Sequence, residues 1–427
     1  MLFKYVQIRT TDILGYTRGM MVPLSSPKKL NEFDKDENLV RGASIDGSSI
    51  GYSNIENSDL HLTPDFTSRY QLPYTDDPIG VVFSFLTKNG KPFEGDPRRV
   101  LYNAQKQILG ENGEMIIKPE PEFYLLNQDG SLYDEGEYAT FYPTSKAERF
   151  ITKIFNDLPK IGITPVVGHH EVGSSQYEVE LGYSSAIKAV DKLILFKNLV
   201  RARAAQLDLK ATFMPKPFTD QPGNGLHYHV IIKKDGVNLF APEKKSEILS
   251  DYGLHFIAGI LQFAKPLSAI LSPTVNSYKR LVPGFEAPTY ISWGPMNRSA
   301  LIRIPMTSDP EKTRFEIRSG DFSGNPYLGL AVLLHAGNYG VQKKLEPPEP
   351  ITDNLYTYSL EKLQAKNIET LPNSLGDALF IVTKHTGFMR KALGDLVFEE
   401  FLTAKLREWR DYLTNVTDWE KSKYFDL

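Results

Sequence analysis

The 427-residue chain contains no cysteine. That excludes disulfides and thiolate metal sites and agrees with a reducing, cytoplasmic compartment. No apolar run approaches the roughly 20 residues that a membrane helix needs. The N-terminal MLFKYVQIRT alternates like a strand, where a signal peptide would be continuously apolar. Lysine plus arginine number 49 against 52 acidic residues, a net charge of −3. Without a basic excess, nucleic acid is not an expected partner. Neither G-x-x-x-x-G-K-[ST] nor G-x-G-x-x-G occurs, so a P-loop and a dinucleotide-binding fold are both unsupported. There are no internal repeats and no low-complexity tract. What is there is an ordinary globular composition, 41% hydrophobic and 24% charged, on a chain long enough for two domains.

Residues 1–95 carry strand-like runs, FKYVQIRT and IGVVFSFLT, between turn-rich segments. At KPFEGDPRR the punctuation changes. Asp96 suits an N-cap, Pro97 suits the first helical position, and Val100, Leu101, Ala104 and Ile108 form an apolar stripe. A domain boundary just before this helix divides the chain into 1–95 and 96–427. Ser145 with Glu148 has capping-box spacing and predicts a helix closing near Gly162. Another helix is expected from about Ala186 to Leu207, Asp235-Gly236 turns a hairpin, and the last seventy or so residues read as helices. Several neighbouring strands look antiparallel, so the class is α+β.

Residues two apart on a strand share a face. In KPEPEFYLL that groups Glu120, Glu122 and Tyr124; in SQYEVEL, Gln176, Glu178 and Glu180; in GLHYHVII, His227 and His229; in TRFEIRSG, Arg314, Glu316 and Arg318. Each alone reads as a half-buried strand with its polar face in water. Together they differ from common surface strands, because Glu, His and Arg dominate and only one Lys stands beside them. Those residue types bind divalent cations and phosphates. If the four faces line one cavity, the carboxylates need cations, since isolated buried charges are very costly. Oxygen ligands with a single histidine favour Mg²⁺ or Mn²⁺ over Zn²⁺. Glu171, in GHHEVGSSQYE, would feed the same cavity, and Arg280, Arg298 and Arg303 supply guanidinium forks for carboxylate and phosphoryl oxygens.

These residues stand in segments that resemble the glutamine synthetase family along the whole chain: IDGSSIGY, EPEFYLL, HHEVGSSQYE, ATFMPKP, GNGLHYH, PTVNSYKRLVPGFEAP, NRSALIRIP and RFEIRSGDFSGNPYL. Their order and spacing are similar to type I bacterial and archaeal members. The resemblance implies an N-terminal β-grasp domain and a catalytic domain of curved antiparallel sheet with flanking helices, related to the guanido kinases. It implies a dodecamer of two stacked hexameric rings with active sites between subunits. The implied reaction joins glutamate and ammonia with ATP through γ-glutamyl phosphate, using two divalent cations per site. Carried across, one cation falls to Glu122, Glu171 and Glu178, and the other to Glu120, His227 and Glu316. Glu122 and Glu171 also shape the glutamate side, with Gly223 and Arg280 for the amino acid. Arg298 and Arg318 would stabilise the transferring phosphoryl group. His229, Arg303, Arg314 and Tyr183 match nucleotide-side positions, and Glu286 matches the flap glutamate that shields the acyl phosphate from water.

The chain also departs from the family pattern. Pro222 stands where an asparagine is common, Val230-Ile231 replace a Gln-Ser pair, Ser175 replaces a glycine, and Glu311 replaces a lysine. Relatives with altered loops attach glutamate to amines, so a γ-glutamyl-amine ligase is the alternative. Tyr356 lies where some members carry a nucleotidylated tyrosine, although an exposed loop tyrosine is the plainer reading. The stretch SIDGSSIGY reads locally as a hairpin turn. By resemblance this loop reaches a neighbouring subunit's site, where Asp46 would attract ammonium and take its proton, with Ser49 holding the loop.

Overall fold

The computed structural model describes residues 1–51, 58–244, 246–283 and 287–427. Among them, one sheet is built from β1 (Phe3–Thr11), β2 (Thr17–Lys28), β3 (Ala43–Asp46), β4 (Asp59–Leu72), β5 (Ile79–Lys88) and β6 (Lys91–Pro92), in the order β2-β1-β5-β4-β3 with β6 beside β5. β1 and β5 pair in parallel at the centre and every other pair is antiparallel, which is the β-grasp arrangement. Alternation in FKYVQIRT follows from this, since Val6 and Ile8 are buried on the core side.

The second sheet contains β7 (Gly113–Leu126), β8 (Pro165–His170), β9 (Gln176–Leu181), β10 (Ser184–Ser185), β11 (Lys210–Thr212), β12 (Leu226–Lys234), β13 (Val237–Asn238), β14 (Tyr290–Pro295), β15 (Ala300–Ile304) and β16 (Phe315–Ile317). Its main order is β14-β15-β16-β12-β7-β9-β8. The pairing is antiparallel apart from β14 with β15, so the expected all-antiparallel sheet has one parallel edge. Helices Ala186–Ala205, Asp251–Gln262 and Pro326–Lys343 are rich in buried apolar residues, and Phe123, Phe196, Phe213 and Phe322 interlock where they meet the sheet. Among the described residues no single helix is long and apolar enough to cross a membrane.

The predicted Pro97–Leu109 helix forms as read. Asp96 accepts from Arg98 N at 3.0 Å and from Leu86 N at 2.8 Å, tying the helix start to β5. Arg98, fully buried, then clamps the two halves together: it bonds both carboxylate oxygens of Asp191 and one of Asp65, together with Ser68. The Asp235-Gly236 hairpin is also present, both residues having positive φ.

Two local expectations are corrected. The helix after Ser145 spans Ala147–Asp157 and runs on as a 3-10 turn over Leu158–Ile161 that closes at Gly162 as expected, but the capping box does not form. Ser145 Oγ accepts from Ala147 N but gives its proton to the buried Asp134, which draws the serine away from the Glu148 box. Asp46-Gly47 is not a tight hairpin turn either, since β3 and β4 pair antiparallel with Asp46 opposite Asp59. β3 ends at Asp46, and Ser48–Ile50 form a 3-10 turn seated on the Asp46 carboxylate, which accepts from Ser48 N, Ser48 Oγ and Ser49 Oγ. Side-chain capping here outcompetes the Asp-Gly hairpin propensity.

Candidate functional site

The charged strand faces lie in register. Across the sheet, His169 of β8 pairs with Glu178 of β9 and Glu178 with Glu122 of β7; Glu120 of β7 pairs with His227 of β12; His229 of β12 pairs with Glu316 of β16, and Glu316 with Arg303 of β15. Period-two alternation therefore carries one continuous polar row over six strands. It floors a cavity of about 620 Å³ lined also by Glu171, Gln176, Glu180, Gly223, Arg280, Arg298, Arg314 and Arg318. The expectation that the four faces meet in one cavity is thus met in the geometry.

Most of the carboxylates are held by specific neighbours. Glu316, fully buried, ion-pairs with Arg303 at 2.7 Å and Arg318 at 2.8 Å. Glu120 takes Lys118 at 2.8 Å and His229 Nε2 at 2.7 Å on the same oxygen. Arg314 Nε donates to His229 Nδ1 at 3.1 Å. Nδ1 is therefore the acceptor and Nε2 carries the proton, so His229 is in a single tautomer. Glu122 accepts from Gly225 N at 2.7 Å. Gln176 Nε2 bonds the Gly223 carbonyl at 3.0 Å and Asn224 Oδ1 at 3.2 Å, fixing this loop against β9. Backbone here runs close to Arg280: a Cβ on Gly223 would meet Pro215 O at 2.4 Å, and one on Gly225 would meet Arg280 Nη2 at 2.7 Å. Only glycine fits both positions. Arg280 itself is anchored on the carbonyls of Ser319 and Arg318 at 2.9 and 3.1 Å.

Glu178 is different. It is buried, yet among the described residues it makes no hydrogen bond or ion pair, and it faces Glu120, Glu122, Glu171 and Glu180. Burial and these like charges raise its carboxyl well above the ordinary range. Burial and Glu171 likewise push Glu122 up to about 7. His227 is held well below its usual value by burial and by Arg318 and Arg280, which keeps its imidazole neutral and able to ligate. An unpaired buried carboxylate among acids, with a neutral histidine, suits divalent cations. Three groups of side chains could each converge on one ion: Glu120, Glu178 and His227; Glu120, His229 and Glu316; His169, Glu171 and Glu178. Five of the six residues expected as ligands line the cavity, and Glu316, fully buried, does not. The groups do not sort into the two expected triads: His229 stands with Glu120 and Glu316 in place of His227, and Glu122, bonded to Gly225 N, joins none of them.

Other expected residues fall elsewhere. Tyr183 is exposed and off the cavity, and Asp46, at the end of β3 in the other sheet, and Ser49, in the turn after it, do not line it. Glu286 lies outside the described residues. Tyr356 is half-buried with its hydroxyl on Ala287 O at 3.0 Å, so it is not an exposed loop tyrosine. Ser175 has φ +64, a conformation that favours glycine; its hydroxyl compensates by bridging Asp134 O and N at 2.7 and 2.6 Å. The sequence reading passed over Lys118, Tyr138 and His169. His169 Nε2 lies 3.1 Å from Glu171, and the Tyr138 ring stands edge-on to His169. Lys118 and His169 could have been found by extending the same alternation one step along β7 and β8, whereas Tyr138 is on a loop and gives no such signal.

Comparison with known proteins agrees in extent. A family model described as glutamine synthetase, beta-Grasp domain, matches residues 3–89, and one described as glutamine synthetase, catalytic domain, matches residues 94–424. A glutamine synthetase of Pyrococcus woesei is 41% identical over 441 residues, covering 99% of this chain and 97% of the relative. That of Methanocaldococcus jannaschii is 40% identical over 433 residues, covering 99% and 95%. Among solved structures, a GmaS/ADP complex has a TM-score of 0.88 at 29% identity, covering 100% of this chain and 97% of that one. A Plasmodium falciparum glutamine synthetase shares the fold, with a TM-score of 0.85 at 24% identity and coverage of 99% and 96%. With both family models matched in order and relatives similar from end to end, the chain belongs to the glutamine synthetase family.

Proposed function

We propose that this chain is a glutamate–ammonia ligase that makes glutamine from glutamate, ammonia and ATP. The observation that carries the reading is the polar row of Glu178, Glu122, Glu120, His227, His229 and Glu316 facing a rim of arginines. In this reading Glu122, Glu171 and Glu178 hold one divalent cation and Glu120, His227 and Glu316 the other. Bound there, Mg²⁺ or Mn²⁺ neutralises phosphate charge and orients the oxygens that react. Arg280 takes the α-carboxylate of glutamate, beside Gly223. Arg298 and Arg318 face the γ-phosphoryl group as it passes to the substrate's γ-carboxylate oxygen and ADP departs. Arg303, Arg314 and His229 hold nucleotide phosphates, and Tyr183 borders the base. Ammonia then attacks the acyl carbon and phosphate leaves, with Glu286 excluding water that would hydrolyse the acyl phosphate.

Asp46 and Ser49 act in this reading on a neighbouring subunit's cavity, in a dodecamer of two hexameric rings. Their distance in sequence and their absence from the lining of the chain's own cavity support that placement. The boundary between the 1–95 and 96–427 domains is read at Asp96, and the enzyme is placed in the cytoplasm. The test is ATP turnover with glutamate and ammonium against a panel of ethanolamine and polyamines. Preference for ammonium is expected; strong preference for an amine would overturn the reading in favour of a γ-glutamyl-amine ligase.

A further inference from the structure

Lys118 is the single lysine among the described residues lining the cavity, and it is 8% exposed. Its ammonium donates to Glu120 Oε1 at 2.8 Å and to Glu180. An ammonium has three donors, so one remains beyond these two carboxylates. His229, opposite Lys118 in the β7–β12 register, bonds the same Glu120 oxygen, and Arg314 is joined to His229. One end of the cavity therefore gathers three basic side chains around a single carboxylate. Glu120 belongs to two of the three groups able to hold an ion, whereas Glu180 belongs to none. A dication on Glu120 would stand a few ångströms from the ammonium and repel it, while Glu180 would keep its grip.

We propose that Lys118 is a nucleotide-binding residue: it rests on Glu120 and Glu180, and when a cation takes Glu120 its ammonium, still tethered by Glu180, turns to a phosphoryl oxygen of the bound nucleotide. This rests on the ATP-dependent reading above. The consequence has opposite signs for the two ligands. Removing Lys118 frees Glu120 from a competitor and tightens metal binding, yet it removes a phosphate contact and weakens nucleotide binding. A purely structural lysine would weaken both.

The experiment is calorimetry on the assembled full-length protein, with Mn²⁺ alone and then with ADP at saturating Mn²⁺. In Lys118→Ala, Mn²⁺ is expected to bind several-fold more tightly and ADP about tenfold or more weakly. Lys118→Arg is expected to restore most of the ADP affinity, and Glu180→Gln to weaken ADP while leaving Lys118 in place. Unchanged ADP affinity in Lys118→Ala, or joint weakening of Mn²⁺ and ADP that Arg does not rescue, would overturn the assignment. Should the wild-type protein bind no ADP, the ATP-dependent reading falls with it. Should the wild type bind ADP and make glutamine while Lys118→Ala binds ADP equally, only the Lys118 assignment falls.

Discussion

Binding of a divalent cation to this site is predicted to release protons at pH 7. In the metal-stripped protein Glu122 titrates at about 7, so it holds roughly half a proton there. Glu178, raised well above its ordinary value by burial and four neighbouring carboxylates, adds to that release. Glu120 contributes none: burial opposes ionisation, but His229 and Lys118 outweigh it and hold the carboxyl below its usual value. His227 contributes none because it is already neutral. Since the cation requires ionised carboxylates, its apparent affinity should rise with pH near pH 7 and level off at higher pH.

Calorimetric titration of Mn²⁺ in buffers of different ionisation enthalpy counts the protons directly. Glu122→Gln should remove about half a proton at pH 7, and Glu178→Gln should lower the count further. The same shift fixes the sign of stability. A carboxyl raised from its ordinary value to about 7 lends the folded state about 3 kcal/mol below the ordinary value, and this is lost as pH rises through 7. The stripped protein should therefore melt lower at pH 8 than at pH 6, and Mn²⁺ should close the gap. Flat metal affinity between pH 6 and 8, with no proton release, would refute the reasoning and mean that the arginines alone keep these carboxylates ionised.

Glu316→Gln should cut glutamine formation by more than about 100-fold and weaken Mn²⁺ binding; wild-type rates would refute its ligand role. Asp46→Asn should lower glutamine formation at low ammonium while sparing assembly and ATP-dependent phosphate release from glutamate. Equal loss of both partial reactions, or loss of neither, would return this loop to a structural role. Arg98→Met should cost about 3–5 kcal/mol by stranding Asp191 in the interior, read as a lower melting temperature with little change in KM for ATP or glutamate. An unchanged melting temperature would show that the two halves are held by apolar contacts alone.

The cavity floor was legible because a strand's period of two is rigid: once KPEPEF, QYEVE, LHYH and FEIRS are strands, their acids and bases must share faces. Register supplied the remainder, and no propensity encodes which strand lies beside which. The Arg98 clamp was hidden for the same reason, since its partners Asp65 and Asp191 lie 33 and 93 residues away. Ser145 misled because capping-box spacing says nothing of a third group, and Asp134 competes for the same hydroxyl. The grouping of ligands was not legible either. Carboxylates choose between metal and arginine by distances of an ångström or less, set by side-chain rotamers that the strand pattern leaves open.

Asp46 shows how structure can narrow a chemical role that sequence leaves broad. Two tasks follow from a carboxylate beside ammonium: attracting the cation and accepting its proton. The hydroxyls of Ser49 and Ser48, with the Ser48 amide, hold the Asp46 carboxyl well below the ordinary range. Stabilising the anion keeps it charged as a counter-ion and weakens it as a base. An ammonium ion is already a far weaker acid than a carboxylic acid, so transfer to this carboxylate before attack runs steeply uphill. The geometry thus favours capture of the cation, with the proton leaving as the nitrogen bonds to the acyl carbon and grows acidic. On that account the loss of Asp46 should raise KM for ammonium more than it lowers kcat, and activity should recover in part at high ammonium. A base acting in the transition state would instead leave kcat depressed at any concentration.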